Sequence, residues 1–72
     1  MKTQQDFYDW LVKQAKRNDP IGDLAGDVRG DSSFPRGITS LVRLRQYLKS
    51  KGATKPAIDA LDEAHREWAA QQ

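Results

Sequence analysis

With 72 residues, 38% of them hydrophobic and 31% charged, the chain has room for one domain with a lean core under a heavily charged surface. A chain of this size buries only about 60% of the surface its unfolded form exposes. It has no cysteine, which excludes disulfides and thiolate metal sites, and it carries a net charge of only +2, which excludes little.

Small secreted domains usually depend on disulfides, so their absence points to a reducing compartment such as the cytoplasm. No apolar run approaches the roughly 7–15 residues of a signal-peptide core or the ~20 of a membrane span. The distribution of charge is more informative than its total. Between Ser32 and Ile58 there is no Asp or Glu, while Arg36, Arg43, Arg45, Lys49, Lys51 and Lys55 make that stretch +6. The first 31 residues sum to −1 and the last 14 to −3, so a basic block lies between two mildly acidic flanks.

In chain order, the first helix is predicted from about Gln4 to Lys16, with Thr3 as its N-cap. Asp6 sits where the positive end of the helix dipole favours a carboxylate. Phe7, Trp10 and Leu11 follow the helical spacing, and Tyr8 and Val12 widen the stripe. Asn18-Asp19-Pro20 then punctuates the chain. Asp19 can cap, and Pro20 fits a first helical position, where no amide proton is needed. Ile21, Leu24, Ala25 and Val28 follow at i, i+3, i+4 and i+7, the spacing of one buried helix face. Gly22 and Gly26 each weaken that second helix by up to about 1 kcal/mol relative to Ala.

Residues 29–37 read as a loop of turn formers, Gly30, Asp31, Ser32, Ser33, Pro35 and Gly37. Phe34 is the exception. An aromatic before proline is held extended, and one in a polar loop is expected to plug the core from outside. A third helix is predicted after a cap at Thr39 or Ser40, ending near Ser50. Ile38, Leu41, Leu44 and Leu48 form its stripe, and Gly52 is its stop. A fourth helix is predicted after Thr54, with Pro56 in its first turn, and runs to about Ala70. Ile58, Leu61, Ala64, His65 and Trp68 mark its inner face. No segment alternates apolar and polar residues over several positions, so a strand reading fails.

Several of these residues together resemble the YozE SAM-like family of small bacterial proteins. They are Phe7-Tyr8 with Trp10-Leu11, Leu24-Ala25, Asp31 with Phe34-Pro35, Tyr47-Leu48, and Leu61-Asp62-Glu63-Ala64. The Asp, Phe-Pro and Tyr-Leu elements are the distinctive ones. The family tends to have an aromatic where Leu61 stands and a tryptophan where His65 stands, and here the bulky residue comes at Trp68. The resemblance implies a fold of four or five helices like that of sterile-alpha-motif domains. That fold hosts nucleic-acid binders and protein-interaction modules alike, so it implies no single function.

Candidate chemistry is sparse. Nucleophilic catalysis needs a nucleophile and a positioned base, and His65, the one histidine, falls on or beside an inner helix face, where a core imidazole is the expected reading. Asp19, Asp23 and Asp27 recur every four residues, with Asp31 beyond. A calcium loop of EF-hand type needs ligands at alternate residues and a terminal glutamate, so a solvated helix edge is expected. Gly22, Gly26 and Gly30 lack the strand-turn-helix setting of a phosphate loop. Asp59, Glu63 and Glu67 share a helix face and read as exposed acids.

The basic block is the strongest functional candidate. Arg45 and Lys49 lie four apart with Val42 on the same edge, and Arg43 points nearly the other way at roughly 100° per residue. Lys51 and Lys55 flank the following turn, and Arg36 lies in the loop before. Such a loop-helix-loop strip can meet the phosphates of DNA or RNA. The rival reading is protein interaction, with a protein partner or another copy of the chain meeting head to tail through acidic ends and a basic middle.

The expectation is therefore an all-α, compact bundle of four or five short helices, SAM-like, one domain over residues 1–72 and cytoplasmic. Its core is expected on Phe7, Trp10, Leu11, Leu24, Val28, Phe34, Leu41, Leu44, Leu48, Ile58, Leu61 and Trp68. Its function is expected to be binding without catalysis, with no cofactor, metal, membrane or small-molecule substrate. Its candidate nucleic-acid-binding residues are Arg36, Arg43, Arg45, Lys49, Lys51 and Lys55.

Overall fold

The computed structural model describes residues 6–71. Among them are four α-helices: α1 (Phe7–Val12), α2 (Pro20–Arg29), α3 (Leu41–Ser50) and α4 (Lys55–Ala70). A 3-10 turn, Lys13–Lys16, continues α1, and there is no strand among the described residues. The all-α expectation of four or five short elements therefore holds.

The first helix differs from its sequence reading. Asp6 has extended backbone and caps α1, its carboxylate accepting the Asp9 amide at 2.9 Å. The expected cap, Thr3, and the expected start at Gln4 lie outside the described residues. At the other end the chain tightens into the 3-10 turn. There the Gln14 side chain donates to the Trp10 carbonyl at 3.1 Å, satisfying a group the helix leaves open.

The other helix boundaries follow their local signals. Asp19 accepts the Gly22 amide at 3.0 Å ahead of Pro20, and Ser40 caps α3. α3 ends where Gly52 takes φ of +79°, with Gly52 donating to Lys49 and Ala53 to Leu48, both at 3.0 Å. That pair of bonds closes a Schellman turn, which requires a residue comfortable at positive φ.

One hydrophobic cluster collects residues from all four helices and the loop. Phe7, Leu11, Leu44 and Leu61 are wholly enclosed, each such side chain contributing about 1.5–3 kcal/mol. Phe34 fills the loop-side of the core against the rings of Tyr8 and Tyr47, as a plug should. Of the expected core, Leu41, Ile58 and Trp68 are only partly buried and pack at its edge. Tyr8, Ile21, Ala25, Ala60 and Ala64 are buried as well. The alanines matter because they let α4 approach its neighbours closely. α4 packs on α1 and α2 along one side, whereas α3 packs at backbone level on α4 alone. α2 and α3 nevertheless meet through side chains, Leu24, Asp27 and Val28 of α2 lining one cleft with Leu48 of α3.

Candidate interaction surface

Helix α3 buries Leu44 and Leu48 and turns Val42, Arg43, Gln46 and Lys49 outward. Val42, Gln46 and Lys49 are spaced i, i+4, i+7, so they form a ridge, with Arg43 on its far flank. Val42 is 59% exposed, the one large hydrophobic so open among the described residues.

The six basic residues singled out by sequence do not share one environment. Arg45 turns toward α4 and holds Asp62 at 2.8 Å. That hydrogen bond keeps the Asp62 carboxyl below the usual range and raises the guanidinium of Arg45. Lys55 pairs with Asp59 one turn on, at 3.3 Å. Lys51 sits 5.7 Å from the Tyr47 ring, where its charge also reaches Asp31. Arg36 stacks over the Tyr8 ring at 4.7 Å. Arg43 and Lys49 are exposed, with no ion pair among the described residues.

The loop that carries Arg36 is pinned on both sides. Asp31 accepts the Tyr47 hydroxyl at 2.5 Å, and the amide and hydroxyl of Ser33 at 3.0 and 2.8 Å. These donors, the Tyr47 hydroxyl foremost, hold the Asp31 carboxyl below its ordinary value. Farther along, the His65 Nε2 lies 2.8 Å from the Thr39 carbonyl oxygen, its half-buried ring against those of Phe7 and Trp68. His65 is thus an edge-of-core imidazole that ties the loop to α4.

The side formed by α2 and α4 is acidic. Between α2 and α4 runs a groove of about 460 Å³. At one end of it Arg17 bridges Asp19 at 2.9 Å and Glu67 at 2.8 Å. Both carboxylates are held below their usual range, Asp19 first by the Gly22 amide and Glu67 first by Arg17. At roughly 100° per residue, Asp62 on the α3 side and Glu67 on the groove side stand about 140° apart around α4. Sequence reading missed this groove. Its only local signals were Pro20 and Pro56, each placed as a helix starter, and the fold alone brings them together.

Among the described residues, no group of three or more acidic or histidine side chains is placed to hold a metal ion. No helix there is long and apolar enough to cross a membrane.

These are features of a small helical domain of SAM-like fold with charged outer faces. The chain belongs to the YozE SAM-like family, whose fold model matches residues 6–70. It is 29% identical over 70 residues to a UPF0346 protein of Lactobacillus delbrueckii subsp. bulgaricus, covering 94% of this chain and 92% of the relative. A UPF0346 protein of Latilactobacillus sakei is 32% identical, with 88% of each chain covered. One from Streptococcus mutans is 35% identical over 69% of this chain and 73% of its own length. No solved structure matches significantly. The family so shown is a bacterial one of SAM-like fold, and its name assigns no activity.

Proposed function

We propose that this protein is a non-catalytic interaction module that meets an acidic protein surface through the outward face of α3. The observation that carries the reading is where the basic block ends up. Arg45 and Lys55 are engaged by Asp62 and Asp59, and Lys51 lies beside Asp31. What remains outward on α3 is Val42 with Arg43, Gln46 and Lys49 around it. A small apolar centre in a polar, cationic rim suits a protein interface, where an apolar middle is ringed by polar groups. A phosphate backbone instead rewards an unbroken row of cations.

A second reading, nucleic-acid binding through Arg36, Arg43, Lys49 and Lys51, draws on their exposure and on the lack of an ion pair at each among the described residues. One titration separates the two. The protein is mixed in turn with poly-glutamate, mixed-sequence double-stranded DNA and mixed RNA, at low and at physiological salt, and backbone amide shifts are followed. Shifts on α3 with poly-glutamate that outlast those with nucleic acid support the protein-interaction reading. Steeply salt-sensitive shifts from Arg36 to Lys55 with DNA or RNA alone would replace it with the second.

A further inference from the structure

We infer that the groove between α2 and α4 is a binding site for a linear aliphatic polyamine, a chain of ammonium groups joined by short methylene segments. This face is separate from that of α3, and its ligand is independent of whatever α3 meets.

The groove has an apolar floor of Pro20, Ile21, Pro56 and Ala60, and carboxylates stand along it. Asp59 and Glu63 lie on the α4 side, and past the two prolines the furrow continues along Asp23 and Asp27 of α2. Within each pair the carboxylates are four residues apart, hence about 6 Å apart along the helix. Asp23 and Asp27 have no ion pair among the described residues. Asp59 and Glu63 have only exposed partners on their own helix, Lys55 at 3.3 Å and Arg66 at 3.2 Å. Such pairs open at little cost.

Every side chain that lines the groove is apolar or a carboxylate, save Arg17. The Arg17 guanidinium is taken up by Asp19 and Glu67. Carboxylates only accept hydrogen bonds, and the apolar floor offers no donor. A peptide laid here would bring its carbonyl groups onto that floor with no side-chain donor to meet them, and would lose their hydration. A single metal ion would need several carboxylates converging on one point, and no group of three is so placed among the described residues. A polyamine brings donors and methylenes alone. Three- and four-carbon segments hold its ammonium groups about 5–6 Å apart at ordinary bond lengths, close to the carboxylate spacing along each helix. Its methylenes shed water against the prolines, Ile21 and Ala60. Arg17 closes one end of the furrow, and Lys51 stands at the other, in the cleft that Asp27 also lines. A cation at each end confines a polycation to the acidic middle.

The test is a titration of the full chain with spermidine, at low and physiological salt, followed by backbone amide shifts. The expected result is a saturable set of shifts over residues 19–27 and 56–63 that weakens as salt is added. Asp59→Asn with Glu63→Gln should weaken binding about 2- to 30-fold, the range for two exposed ion pairs, with circular dichroism unchanged. Asp9→Asn, which removes an exposed carboxylate of α1 outside the groove, should leave binding as it was. An equal loss in both variants overturns the groove as the site. Trilysine, of the same net charge as spermidine, and magnesium ion are each expected to bind more weakly. Trilysine that binds as tightly as spermidine overturns the polyamine in favour of a basic peptide. Shifts that magnesium reproduces at equal charge mean diffuse screening and overturn the site. The absence of saturable shifts at low salt overturns it as well, and leaves the α3 reading to its own titration.

Discussion

Gly22 lies so close to the backbone carbonyl of Arg17 that a Cβ at position 22 would overlap its oxygen. The approach follows from the turn between them: Asp19 accepts the Gly22 amide, and Arg17 folds back onto Asp19 and Glu67. Gly26, one turn on, faces open space. Helix propensity treats the two glycines alike, each about 1 kcal/mol worse than Ala. The structure separates them. Gly26→Ala should raise stability by about 0.4–1 kcal/mol, through the unfolded chain. Gly22→Ala should lower it by about 2 kcal/mol or more, because backbone must move. Urea unfolding of the two variants decides the matter, and shifts of the same sign would contradict the close approach.

Acid should unfold this domain through identifiable carboxylates. Asp19, Asp31, Asp62 and Glu67 are all held below their usual values by bonds formed on folding. A group with a lower pKa in the folded state stabilises the fold fully above its unfolded value, about 4 for a carboxylate. That contribution is lost as pH falls through the folded value. Stability should therefore be flat from about pH 7 to 5 and decline below about 4. Asp62→Asn should be less stable than wild type at neutral pH and should lose less on acidification. Urea midpoints across that range measure both, and an equal acid slope in wild type and variant would exonerate Asp62.

These pairings mark the limit of what the sequence shows. Signals that act over a turn of chain were legible: Asp19-Pro20 before α2, Gly52 after α3, Thr54 and Pro56 at the start of α4. Phe34 before Pro35 was legible as a plug because a large apolar side chain in a polar loop has few other places to go. The Arg45–Asp62 and Arg17–Glu67 pairs were not, since residues 17 and 50 apart have no local periodicity to betray them. Nor was the burial of Ala60, which depends on how closely neighbouring helices approach. The basic block was visible as a run of charge, but side-chain direction and the acids of α4 divide it.

The Asp31–Tyr47 bond makes a local prediction. Tyr47→Phe keeps the ring against Phe34, 5.3 Å between centroids, and removes only the hydroxyl. The variant should be less stable than wild type, having lost the hydroxyl's contacts with Asp31 and Ser33. Its effect should concentrate in the loop, with faster hydrogen exchange at the Ser33 and Phe34 amides, which both bond to Asp31. Unchanged exchange there would mean that Phe34 holds the loop unaided.

Trp10 joins the core to the end of the last helix. Its ring is 5% exposed and stacks on Phe7, and its Nε1 donates to the Gln71 side chain at 3.1 Å. The two contacts carry different weight. Gln71 is exposed, so Gln71→Ala should cost no more than about 1 kcal/mol. Trp10→Ala empties a packed site in a core with few large residues and should cost about 3–5 kcal/mol. Folded domains hold only about 5–15 kcal/mol in all, and small ones sit near the bottom of that range. The Trp10→Ala chain should therefore be largely unfolded at room temperature, with weak near-ultraviolet dichroism and no cooperative melt. A near-native melting curve would remove Trp10 from the core and shift the weight to Phe7 and Leu11, the wholly enclosed residues of α1.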